Sequence, residues 1–169
     1  FNLRDGGASP ITDHRLQIAA ATYTEVAPDG LPTGKVLPVA GSPLDFRDSH
    51  PVGRDIDALD DGRGGYDHNF VLDVPPSQLR RAASLFSEAS GRLLSVFTDR
   101  PCIHLYTGAG LSVSDGKQGT SYSPSSGLAL ETQGFPDALN HPLFAADILR
   151  PGETFRSQTI FELTKEPRP

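Results

Sequence analysis

Apolar residues in this chain recur with period two, in short runs that glycine and proline keep interrupting. Seventeen glycines and fifteen prolines in 169 residues leave almost no stretch long enough for an amphipathic helix. That pattern is the signature of an all-β sandwich or barrel, in which short strands alternate inward and outward side chains between turns. "HRLQIAAATYTEV" (14–26) reads as one strand running into an extended arm, and "APDGLPTGKVLPVAGSPLDF" (27–46) as a turn-rich connection. Residues 48–65 read as a loop with one helical turn around Val52 to Leu59, and "YDHNFVLDV" (66–74) as a strand. "LRRAASLFSEASGRLLSVFTD" is the clearest hairpin, with Gly91 at the turn position that needs positive φ. "CIHLYTGAG", "SGLALETQ" and "PGETFRSQTIFELT" supply three further strands, the last with Phe155, Phe161 and Leu163 in phase, and "EPRP" reads as a loose end.

One domain is expected at this length, with enough chain to bury a core. The net charge of −6, with no cluster of Lys or Arg, argues against a nucleic-acid partner. No apolar run approaches the roughly 20 residues that span a bilayer. Cys102 is the sole cysteine, so no disulfide framework exists and a reducing compartment is the simpler expectation. The start "FNLRDGGASP" lacks the basic and apolar regions of a signal peptide, and no N-x-S/T acceptor occurs, so a cytoplasmic setting is expected. The chain contains no methionine, even at position 1, and is therefore expected to be a fragment.

Alternation sorts the polar residues by face. Glu131 and Gln133 share one face of their strand, His104 and Tyr106 share one opposite Ile103 and Leu105, and Asp67 and Asn69 share one opposite His68 and Phe70. Three neighbouring strands of this kind would build a concave polar surface with Tyr106 as a stacking wall, suited to a polyol such as a sugar. Each residue also has a plainer reading. A strand carboxylate such as Glu131 is more often simply solvated, Asp67 after two glycines and a tyrosine suits an Asx turn, and a lone strand histidine such as His104 usually meets a carbonyl. "DIDALDDG" lacks the ligand pattern of a calcium loop, and the histidines at 14, 50, 68 and 141 lack zinc spacing, so no metal is expected. No phosphate loop, dinucleotide fingerprint or nucleophile elbow occurs, and no cofactor is expected.

Five stretches, "GLPTGKVLPVAGSPLDFR", "GGYDHNFVL", "HLYTGAGL", "GLALETQGFPDALNHPLF" and "LRPGETFRSQTIFEL", resemble in order and spacing the aldose 1-epimerases, or galactose mutarotases. The resemblance implies a large antiparallel β-sandwich, incomplete here at the N-terminus, whose full-length form is a monomer that acts on free hexoses such as galactose and glucose without cofactor or metal. It implies Glu131 as the catalytic base that takes the proton from the C1 hydroxyl, in a partly desolvated site, and Asp67 as a ligand for sugar hydroxyls. Where relatives often carry Gln in "QFYTGN" this chain has His104, which the resemblance puts against a sugar hydroxyl and which bears on sugar preference. The family's acid histidine lies in "NHSYFNL", whereas this chain opens at "FNL", so the acid is expected upstream, and His14 matches a structural position. Two alternatives remain at this point: a sugar-binding or sensing module without turnover, and a glycosidase using Asp67 and Glu131 as a carboxylate pair. A sandwich lacking its upstream strands would expose edges and apolar surface, and is expected to aggregate or be poorly stable.

Overall fold

The computed structural model describes residues 1–59, 62–73 and 77–165. Ten strands run as β1 Arg15–Ile18, β2 Thr22–Val26, β3 Pro32–Pro38, β4 His50–Pro51, β5 Asp67–Val71, β6 Arg80–Ser87, β7 Arg92–Thr98, β8 Cys102–Tyr106, β9 Ala129–Gln133 and β10 Thr159–Lys165. They form two antiparallel five-stranded sheets, one ordered β10-β7-β6-β1-β4 and the other β3-β2-β5-β8-β9. The helical pieces among the described residues are 3₁₀ turns of three residues each. The expected β-sandwich is therefore the fold.

The core lies where the inner faces meet. Leu16, Ile18, Leu85, Leu94 and Val96 of the first sheet oppose Phe70, Ile103, Leu105 and Leu130 of the second, all nearly or fully buried. Phe46 and Tyr66 plug one end, edge to face at 5.0 Å, and His50 stacks on Phe46 at 4.6 Å. Each such apolar side chain contributes about 1.5–3 kcal/mol on full burial. The β6–β7 hairpin turns at Gly91, whose φ of +70° is the left-handed value anticipated from the sequence. Two consecutive 3₁₀ turns, Val52–Arg54 and Ile56–Ala58, stand where a helical turn was expected.

Three expectations are corrected. The stretch 14–26 is two strands in different sheets. Ala19–Ala21 carries the chain from one layer to the other, and Asp73 Oδ1 accepts the freed Ala21 amide at 2.7 Å. Alanine side chains distinguish no face, so periodicity cannot register the crossing. β3 occupies what reads as a turn-rich connection. It is an edge strand, where a proline's missing N–H costs no ladder bond. Pairing in the last strand begins only at Thr159, and Phe155 lies outside it, beneath the Arg100 guanidinium at 5.0 Å. "EPRP" and Asp60–Asp61 of the acidic loop lie outside the described residues.

One side of the sandwich is open. β9 and β10 are edge strands of their respective sheets and meet across the layers, the Thr132 and Thr159 hydroxyls being 2.6 Å apart. Phe161 and Leu163 pair with the buried Val96 and Leu94, so they face inward, yet they are 49% and 63% exposed. Phe1 packs on Phe161 at 5.4 Å and exchanges backbone hydrogen bonds with Leu128, beside β9.

Candidate functional site

The outer face of the β3-β2-β5-β8-β9 sheet gathers the polar residues. Antiparallel register sets Asp67 opposite Tyr106, Asn69 opposite His104, and His104 opposite Glu131. Directly opposed residues share a face with Cβ atoms about 4.5–5.5 Å apart, so Asp67, His104, Tyr106 and Glu131 form one cluster across three adjacent strands. Their neighbours Phe70, Ile103, Leu105 and Leu130 point into the core and fix which way the cluster faces.

Asp67 and His104 are joined: Asp67 Oδ1 lies 2.7 Å from His104 Nε2. An ionised carboxylate only accepts, so Nε2 carries the proton in this contact. The Asp67 backbone is held as well, its N–H donating to His68 Nδ1 at 3.1 Å and its carbonyl accepting from Arg63 at 3.5 Å. Tyr106 hydroxyl accepts the Gly110 amide at 3.0 Å, which pins the ring against the glycine-rich turn after β8. Glu131 is exposed, and no described residue hydrogen-bonds its carboxylate. The partial desolvation expected around it is not supplied by the described residues.

Beside these groups runs a buried amide network. Gln133 Nε2 donates to Asn69 Oδ1 at 3.0 Å, and Asn69 Nδ2 donates to Thr24 Oγ1 at 3.3 Å. Gln133 is on β9 and Asn69 on β5, so this bond reaches over β8 and ties the edge strand carrying Glu131 to the strand carrying Asp67. Asn69, Thr24 and Cys102 are buried although they lie on the outer face. The segment after β9 covers them. It carries Phe135 and Phe144, stacked at 4.8 Å, and delivers His141 to Gly34 on β3, the opposite edge of the sheet. Gly34 has φ +84°, and a Cβ there would stand 2.6 Å from the His141 ring, so both backbone and contact demand glycine. Alternation identifies Asn69 and Gln133 as face-sharing residues, whereas the traversing segment has no periodic signal.

Two other histidines are buried among backbone partners. His14 is fully buried, with Nε2 accepting the Leu3 amide at 3.0 Å and Nδ1 2.9 Å from Asp13. His50 sits between the Pro51 and Asp45 carbonyls. Among the described residues no three His, Cys, Asp or Glu side chains cluster closely enough to hold a metal ion, and no helix is long and apolar enough to cross a membrane. A groove of about 840 Å³ lies along residues 146–155, and one of about 650 Å³ lies between residues 71–73, residues 99–101, Phe135 and Asp147; neither includes Asp67, His104 or Glu131. The polar cluster is open to solvent, with Glu131 exposed and Asp67 and His104 half-buried.

The profile of the aldose 1-epimerase family matches residues 1–162. Human galactose mutarotase is 41% identical over 166 residues, covering 97% of this chain and 47% of the human protein. Aldose 1-epimerase of Escherichia coli (strain K12) is 35% identical over 170 residues, covering 98% and 49%. The crystal structure of an aldose epimerase homologue from C. elegans superposes with a TM-score of 0.81 at 27% identity, over 95% of this chain and 48% of that one. The chain thus spans about half the length of the curated relatives it matches. With a family profile matching from Phe1 to Phe161 and one residue beyond, and a shared fold, this chain belongs to the aldose 1-epimerase family.

Proposed function

We propose that this chain carries the base-bearing half of an aldose 1-epimerase site, interconverting the α and β anomers of a free hexose such as galactose or glucose. The observation that carries this reading is the register that gathers Asp67, His104 and Glu131 on one face of three adjacent strands. Glu131 is the base: it takes the C1 hydroxyl proton as the C1–O5 bond opens and the ring oxygen is protonated. The aldehyde end rotates, and reversal of the steps on its other face gives the second anomer. On the family pattern the ring-oxygen proton comes from a histidine upstream of Phe1. Asp67 and His104 hold sugar hydroxyls, and Tyr106 offers its ring to the apolar sugar face. The reading extends to a cytoplasmic monomer working without cofactor, metal, membrane or nucleic acid.

Polarimetry of freshly dissolved α-D-galactose tests it, against spontaneous mutarotation as blank. A well-placed general base contributes about 10²–10⁴-fold, so Glu131→Gln loses most of any rate above blank. A Glu131→Gln rate equal to a wild-type rate that exceeds the blank would sink the assignment of the base. The exposure of Glu131 favours a second reading, in which this piece binds sugar without turnover. A folded sample that binds galactose and leaves the blank rate unchanged would select it. The glycosidase alternative finds less support, because Asp67 is engaged by His104 and lies two strands and two residues from Glu131.

A further inference from the structure

His104 holds one ring nitrogen against Asp67 and leaves the other unclaimed. Nδ1 makes no hydrogen bond to a described residue, and it is not among the buried atoms lacking a partner, so solvent reaches it. With Nε2–H donated to Asp67, the neutral ring presents Nδ1 as a bare acceptor; the imidazolium presents it as a donor. No other atom of the cluster can invert its hydrogen-bonding role in this way near neutrality, because histidine is the side chain that ordinarily changes charge between about pH 5 and 8.

The surroundings decide which form suits a polyol. Across β8 on one side stand Asp67 and the neutral Asn69, and on the other Glu131 and Gln133. Tyr106 and Cys102 share the face on β8 itself. Arg63 donates to the carbonyls of Asp67 and Ala27, and in the traversing segment His141 lies 3.4 Å from Asp137. The open face itself carries two carboxylates, Asp67 and Glu131, which only accept. A sugar hydroxyl that donates to Glu131 or Asp67 still has lone pairs to satisfy, and a neutral His104 adds a third acceptor where a donor is needed.

Building on the sugar-site reading above, we infer that His104 couples sugar binding to proton uptake: the hexose binds best when Nδ1 of His104 is protonated and donates to a ring substituent. Affinity rises as pH falls from about 8 to 5.5, by at most about tenfold per pH unit for one proton, and Asp67 holds the imidazole in place in both states.

The test is galactose titration of the full chain by NMR at about pH 8 and 5.5, following the His104 Cε1–H resonance. Wild type should bind several-fold more tightly at the lower pH. That ratio should collapse towards one in His104→Gln, and persist in Glu131→Gln although binding weakens at both values. Calorimetry of wild type in buffers of differing ionisation enthalpy gives the proton count directly and does not depend on any variant folding. Net uptake supports the coupling; zero uptake overturns it. A wild-type affinity independent of pH, with Glu131→Gln still weakened, overturns the coupling while the sugar site stands. A folded wild-type sample that binds no galactose at either pH overturns both.

Discussion

Replacing Asn69 with alanine tests whether the site face is braced across three strands. Asn69 is 2% exposed and its amide makes two side-chain bonds, to Gln133 at 3.0 Å and to Thr24 at 3.3 Å. A hydrogen bond nets about 0.5–1.5 kcal/mol, more where a buried partner is stranded. Thr24 is buried but keeps a 3.5 Å contact to the Asn69 carbonyl, while Gln133 is half-buried and can turn to water. The loss is therefore two bonds and a small void, about 2–3 kcal/mol. At roughly 2.1 cal/mol/K per residue, 169 residues unfold with about 0.35 kcal/mol/K, so Tm falls by about 6–8 °C. Gln133→Ala breaks one bond at a wetter position and costs about 1 kcal/mol, or about 3 °C. Because the two share a bond, the double variant should be more stable than the sum of the singles by about 0.5–1.5 kcal/mol. Thermal melts by circular dichroism of the four proteins read all of this. An Asn69→Ala Tm within about 1 °C of wild type, or strict additivity, would refute the brace.

The open side makes a solubility prediction: Phe161→Ser with Leu163→Thr should cut binding of the dye ANS and slow aggregation, with a Tm change of at most a few degrees, whereas an unchanged ANS signal would mean this surface is not the exposed one. Phe46→Ala empties the space between Tyr66, Phe70 and His50 and should cost about 3–5 kcal/mol in urea unfolding; less than about 1 kcal/mol would deny it a central core role. Gly34→Ala should loosen the segment after β9, seen as faster proteolysis between residues 134 and 144, with no change expected if His141 does not pack there. Burial pushes the Cys102 thiol up to about 11, so the thiolate is disfavoured in the fold. The unfolded thiol ionises first, so stability is lost progressively as pH rises from about 8.5 towards the folded value. Native chain should accordingly resist iodoacetamide at neutral pH and react once unfolded; rapid native labelling would contradict the burial.

Much of the site was legible in sequence because strand periodicity is local. Once Ile103, Leu105, Phe70 and Leu130 claim the core, Asp67, His104 and Glu131 have one face left to occupy, and the order of polar and apolar residues along each strand already says so. The hairpin at Gly91 is equally local, since the chain itself must reverse there. What alternation cannot carry is strand order. That β5, β8 and β9 are neighbours in one sheet, in the register that sets His104 against both Asn69 and Glu131, depends on backbone pairing between distant segments such as Asp67 and Tyr106, and the Asn69–Gln133 side-chain bond joins residues 64 apart. The jump between sheets at Ala19–Ala21 was hidden because three alanines carry no facial information, and β3 was hidden because an edge strand tolerates the prolines that otherwise signal a turn. The burial of Asn69 and Cys102 on an outward face, and the openness of Phe161 and Leu163 on an inward one, follow from which segments lie over them. Sequence determined which way each side chain points; only the tertiary structure decided what, if anything, stands in front of it, because covering a face is a property of distant chain and not of the strand that bears it.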